Sequence, residues 1–260
     1  MATLADGVGA RGGEMAERRF FLILSVIMAV VVVAGFTMNL AMGRSTFAVP
    51  LVYHVHAVVF FGWLALYLAQ VSLIAGNNVT LHRKLGMIAL GWAPLMVVMG
   101  FAIMFASLRR TGGPFFFDQN EFMISNTLQL VLFMGMVLWA LKVRRHIGWH
   151  RRIMLTAMAI LTGPGLGRLL PMPLLIPNAW RIMLAATMVF PLIGMVRDWR
   201  KRGAIHPAWL WGVGLVLASQ VVADLIAYSP LGVSLTERVL AGTPGADRPM
   251  HAFLPPGFAM

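Results

Sequence analysis

"FFLILSVIMAVVVVAGFTMNLAMG", residues 20–43, decides the fold: it runs from end to end without a charged residue. An α-helix rises 1.5 Å per residue, so about 20 apolar residues cross the ~30 Å hydrocarbon core of a bilayer. No water is available there, and only a helix satisfies every backbone donor and acceptor within its own segment. Six further apolar runs of similar length follow, at about 52–75, 84–107, 122–143, 150–171, 178–196 and 207–229. The pattern predicts an all-α polytopic integral membrane protein with seven transmembrane helices. A transmembrane barrel would instead show short strands of alternating polarity.

Composition agrees. Of 260 residues, 59% are hydrophobic and 12% charged, roughly half the charged share of a soluble domain. Mean hydropathy is +0.80. The absence of cysteine excludes disulfides, thiolate metal sites, iron–sulfur clusters and cysteine nucleophiles.

The net charge of +12 invites a nucleic-acid reading, but its distribution favours another. If the N-terminus is cytoplasmic, seven spans put fourteen of the 21 lysines and arginines inside. The positive-inside rule then favours N-in and C-out. The basic charge records topology and contact with the bilayer, with anionic lipids at the cytoplasmic face. Nucleic acid is not expected as a partner.

Residues 1–19, with Asp6, Glu14 and Glu17 before the first apolar run, read as a cytoplasmic tail and not as a cleaved signal. Residues 20–229 form one seven-helix domain. Residues 230–260 carry Pro230, Pro244, Pro249, Pro255 and Pro256 and read as an outside tail too proline-rich for a further helix. Phe115, Phe116 and Phe117 lie in the longest interior loop, placed to enter the outer interface or to cover the bundle. Trp139, Trp149, Trp199, Trp209 and Trp211 gather near the inner boundary, as an aromatic belt does.

Two histidine–cation elements echo one another. "LHRKLG" (81–86) opens the third span and "HIGWHRR" (146–152) opens the fifth, with His82 and His150 separated by 68 residues. The echo predicts a parallel repeat of two hairpins. His146 and His150, at i and i+4, share a helix face, and His82 supplies a third nitrogen. These three are the candidate cofactor or metal ligands, for haem b or a divalent metal. The other reading, interfacial residues that set helix depth beside the arginines, stays open.

The outer half holds a second candidate site, a ligand or proton pocket. In the second span His56, Trp63 and Gln70 form a heptad stripe turned inward. Asn126 and Gln129 share a face of the fourth span, and Gln220 and Asp224 share one of the seventh. Asp224 is the only acid inside an apolar run, so it needs a partner, and Arg168 or Arg181 is at the right level. "LTGPGLGR" (161–168) interrupts the fifth span with Gly163, Pro164, Gly165 and Gly167. Such a break is either a binding site or a proline kink near a helix end. The last span has no lysine for a retinal Schiff base, and no phosphate loop or Ser–His–Asp spacing appears.

"HVHAVVFFGW" (54–63), "LHRKLG", "WHRRIM" (149–154) and Arg168 occur in an order and spacing that resemble a family of bacterial polytopic membrane proteins known as a domain of unknown function. The resemblance covers about residues 50–172. It maps that family's pattern onto His56 or His54, His82, Arg83, Gly86, His150, Arg151, Met154 and Arg168. It implies a multi-pass protein of the bacterial inner membrane and carries no settled activity. In layout the chain is also similar, more weakly, to transmembrane cytochromes b, which hold haem between histidines of neighbouring helices. The seven-helix zinc hydrolases share the expected topology, but their H-x-x-x-H lies on the last helix. A haem- or metal-binding redox protein is the leading expectation. A small-molecule or proton transporter, or an accessory subunit scaffolding a larger complex as a heteromer or with a second copy, is the alternative.

Overall fold

The computed structural model describes the backbone of residues 4–258 and the side chains of residues 13–258. The described residues are helical, with no strand among them: α1 (Leu4–Ala41), α2 (Leu51–Ala75), α3 (Val79–Thr111), α4 (Gln119–Lys142), α5 (Ile147–Ile160), α6 (Gly163–Leu169), α7 (Ala179–Arg202), α8 (Pro207–Ala227) and α9 (Pro230–Leu240). Six of them, α1 from Gly13, α2, α3, α4, α7 and α8, are long and apolar enough to cross a membrane.

Local chemistry sets the helix ends. The Asn78 side chain accepts from the Leu81 N–H at the start of α3, and the α3 end is closed by Gly112 at φ +73°. His206 caps α8 the same way, its Nδ1 accepting from Ala208 N–H at 3.1 Å. These groups supply bonds that the first and last helical turns cannot make internally.

The fifth span is interrupted beside "LTGPGLGR", where the sequence carries its proline and glycines. It is two pieces, α5 of 14 residues and α6 of 7, joined through Leu161 and Thr162. Pro164 has no N–H to offer the preceding turn. That leaves the Ile160 carbonyl without its helical donor, and one residue earlier the Ala159 carbonyl accepts from both Thr162 N–H and Thr162 Oγ. The glycines beyond the break serve close packing against α1. A Cβ on Gly165 would sit 2.7 Å from Val32 Cα, and one on Gly35 would sit 2.3 Å from the Gly165 carbonyl oxygen. Backbone meets backbone here, the use that small residues have between apolar helices.

The C-terminal expectation is corrected. Residues 230–240 form α9 despite beginning with proline. Pro230 occupies the first helical position, where a missing N–H costs nothing, and Ser229 Oγ accepts from Gly232 N–H at 3.2 Å. The chain then crosses the α3–α4 loop. Arg248 donates to the carbonyls of Gly112 and Gly113 at 2.8 and 2.7 Å and to that of Phe117. Phe117 is buried and meets Trp180 edge-on at 4.9 Å, while Phe115 packs on Phe253 and Phe258. The phenylalanine run covers this end of the bundle.

α4 lies against α3, α5 and α8, and α1 lies against α2 and α6. The main core is Met28, Trp63, Phe133, Ile153 and Trp209 with their neighbours. Large apolar side chains also face outward along the long helices; Val58 and Leu225 are 70% and 71% exposed. Charged and polar side chains concentrate at the two ends. One end gathers the start of α1, the α2–α3 turn, the start of α5 and the α7–α8 turn. Arg18 reaches Asn77 there, and Glu17 reaches Arg152 and Arg202. The other gathers the α3–α4 loop, the start of α7 and the end of α8.

Candidate functional site

The two echoed histidines meet. His82 lies in the first turn of α3 and His150 in that of α5, with ring centroids 6.4 Å apart and planes at 83°. Each reaches back over its turn to the preceding helix. His82 Nδ1 is 3.3 Å from the Gln70 carbonyl, and His150 Nδ1 is 2.8 Å from that of Ala140. A carbonyl only accepts, so each Nδ1 is the donor, and in the neutral imidazole Nε2 keeps its lone pair. This is how a ligating histidine is held, one nitrogen oriented by a backbone carbonyl and the other free. The sequence repeat is therefore a structural one: two hairpins, each pinned by a histidine at the same place. Gln70 and Gly86 adjoin the pair, and a Cβ on Gly86 would touch the Gln70 amide nitrogen at 3.5 Å, an ordinary contact.

His146 does not complete a three-nitrogen set. It is the exposed residue preceding α5, and among the described residues no three histidine or carboxylate side chains group closely enough to hold a metal ion. Its i, i+4 relation to His150 fails as a helix-face argument because the helix begins after it.

Beside the histidines lies a cluster that sequence reasoning missed. Arg152 is wholly buried. Its Nε and Nη2 each lie 2.8 Å from the Asp198 carboxylate in a two-pronged pair, and Nη2 is 3.2 Å from Glu17 Oε1. Glu17 also pairs with Arg151 and, at 2.5 Å, with Arg202. Trp209 Nε1 donates to Asp198 at 2.9 Å, and its ring stacks parallel to Phe21. Trp209 is thus part of this buried network and not of an interfacial belt, whereas Trp199 and Trp211 are 60% and 58% exposed. The sequence carried one signal: Glu17 and Asp198 are rare acids amid the cations of this end, and acids among arginines find partners. His206 closes the cluster. A Cβ on Gly148 would come within 2.9 Å of its Nε2. Burial, then the Arg152 charge, holds the His206 pKa below the ordinary histidine value.

The opposite end brings Arg181, Gln220 and Asp224 together. Arg181 Nη2 is 3.1 Å from Asp224 Oδ2, and Gln220 Nε2 donates to Asp224 Oδ1 at 2.8 Å. Gln220 also accepts from Trp180 Nε1 at 2.9 Å and donates to Ser125 at 3.2 Å. Glu121, buried on α4, lies 3.6 Å from Arg181. Its Oε1 and the Oδ1 of Asn120 are enclosed without a hydrogen-bond partner among the described residues. Tyr228 donates to Asp118 at 2.8 Å. Burial, reinforced by Glu121 and Asp118, pushes its phenol pKa upward.

The other predicted pocket residues lie elsewhere. Arg168 does not pair with Asp224; it stacks on Phe36 at 4.0 Å and donates to the Pro164 carbonyl. His56 packs on Phe60 with ring centroids 4.0 Å apart. Asn126 bonds its own helix at the Phe122 carbonyl, and Gln129 is half-buried on the same helix. The α2 stripe does turn inward: Trp63 is buried, and His56 Nδ1 and Gln70 Oε1 are enclosed.

The chain matches no family model, no curated protein and no solved structure.

Proposed function

We propose that the chain is a multi-pass protein of the bacterial inner membrane, N-in and C-out, that holds one haem between His82 and His150 and transfers electrons. The broken α5–α6 unit serves as the seventh crossing in this reading. The histidine pair carries it. With a metal–nitrogen bond of ~2 Å, two imidazoles on one iron have ring centres about 6 Å apart, and these rings lie 6.4 Å apart. The chemistry of the set favours haem over a bare divalent ion. A zinc-like ion needs about three or four protein ligands, whereas a porphyrin supplies four nitrogens and asks the protein for only two axial ones. Arg83, Lys84, Arg144 and Arg145 flank the two histidines in sequence and are exposed, suited to propionate carboxylates. Bound there, the iron would cycle by one electron between its ferric and ferrous forms.

A reduced-minus-oxidised absorption spectrum of the purified protein tests this. We expect haem bands at near one equivalent, lost in His82→Ala and in His150→Ala and kept in His146→Ala. A featureless spectrum, or bands that survive both substitutions, overturns the proposal. The enclosed Glu121 oxygen, which has no hydrogen bond among the described residues and lies beside Arg181 and Asp224, favours a second reading, a solute or proton pocket at the outer end. In that case Asp224→Asn abolishes transport by reconstituted protein that still folds.

A further inference from the structure

We infer that the groove between the start of α1 and the end of α7 is a binding site for the headgroup of an anionic phospholipid. The inference rests on the membrane-spanning part of the reading above and not on haem. The groove has a volume of about 400 Å³. Its charged wall is Arg19 from α1 with Arg197 and Lys201 from α7, and its apolar wall is Met15, Phe20 and Ile23. Spacing builds it: 16, 19, 20 and 23 share one face of α1, and 197 and 201 stand one turn apart on α7.

The local charge balance calls for an anion. Among the described residues the surrounding cluster sets six cations (Arg19, Arg151, Arg152, Arg197, Lys201 and Arg202) against two carboxylates, Glu17 and Asp198. Glu17 is already engaged by Arg151, Arg152 and Arg202. Arg197 reaches it only at 3.9 Å, so the Arg197 charge is poorly neutralised. That guanidinium is held over the Phe20 ring at 4.3 Å, facing the groove as a fixed donor. Arg19 and Lys201 are exposed.

The apolar side identifies the anion as part of an amphiphile. From the groove an exposed row of Ile23, Ile27 and Val30 continues along α1, 59%, 46% and 59% exposed, with Val189 and Ile193 exposed on α7. An acyl chain lying on that row leaves its phosphate at the three cations, and exposed Trp199 sits at the same level, where interfacial tryptophans belong. A soluble anion would use the charged wall and leave the row bare.

Native mass spectrometry of the full chain in detergent, incubated with equal amounts of phosphatidylglycerol and phosphatidylcholine, tests the site. We expect preferential retention of phosphatidylglycerol. Removing a cation near an anionic lipid weakens its hold by about fivefold, so Arg19→Gln with Lys201→Gln should cut that preference at least about fivefold. The charge-keeping Arg19→Lys with Lys201→Arg pair should preserve it, as should Arg44→Gln with Arg110→Gln at the opposite end. Both cations of the test pair are exposed, and an unchanged elution profile checks that the variant folds. Equal retention of the two lipids, or a loss as large in the Arg44/Arg110 variant, overturns the assignment. So does displacement of the lipid by an equal concentration of inorganic phosphate, which would make the site one for a soluble anion. Retention of neither lipid also overturns the site, whereas failure of the membrane-spanning reading would show separately, as a chain that stays in solution without detergent.

Discussion

Arg152 shows what a single residue decides. In sequence it is one of many cations beside a hydrophobic run. In the fold it is sealed from solvent and spans two carboxylates from helices far apart in the chain. Removing one partner of such a pair leaves buried charge uncompensated, at a cost of about 3–5 kcal/mol. Arg152→Ala should therefore lower the melting temperature sharply, and Arg152→Lys should not rescue it, because an ammonium cannot make the two-pronged bond. His206 sets a pH dependence in the same cluster. Its Nδ1 must be unprotonated to cap α8, and burial with the Arg152 charge depresses its folded pKa. The unfolded chain therefore takes up the proton first. The contribution is present above the ordinary histidine value near 6.5 and is lost as pH falls through the lower folded value. Thermal melts from pH 7.5 to 5 should show stability falling in the wild type. The part of that fall due to His206 should vanish in His206→Asn, which keeps a cap without titrating.

At the scale of elements, the α5–α6 break is explained by what α6 touches. Proline ends α5, and glycine lets α6 press its backbone on α1. Small-to-large changes in a tight contact typically cost 1–3 kcal/mol. Gly165→Ala and Gly35→Ala should each destabilise by about that much. Gly214→Ala on α8, where an added Cβ meets nothing within 4 Å, should be neutral or stabilising by up to about 1 kcal/mol. Chemical melts of the three variants in one detergent would separate them; a Gly165→Ala as stable as Gly214→Ala refutes the packing account. The two hairpins make the complementary point. An element repeated in sequence places its histidine in the same bond each time, first turn to preceding helix.

For the whole molecule, polar chemistry is divided between two ends separated by an apolar bundle. One end carries the histidine pair and the Glu17–Arg152–Asp198 network; the other carries Arg181, Asp224 and Glu121. Helices alternate between these ends, and α5 with α6 continues the alternation. An odd number of crossings puts the termini on opposite sides. On the proposed reading, with α5–α6 as a crossing and the N-terminus in the cytoplasm, reporter fusions should show the C-terminus outside. Both termini on one side would mean that the α5–α6 unit enters and returns without crossing.

The sequence by itself determined the helical class and the long apolar helices, because length and continuity of hydrophobicity are read along the chain and bilayer thickness does the rest. It also marked the echoed histidines and the need of Asp224 for an arginine. It misjudged Pro230, which begins a helix, because a proline's effect depends on its position within the turn. The partners came from tertiary structure. Arg181 over Arg168, Asp198 for Arg152, and His150 for His82 are contacts between residues 43, 46 and 68 positions apart. Such distances carry no periodicity to read. Only the packing of helices decides which buried charge meets which, because each charge, once removed from water, must find its counterpart wherever the fold has put it.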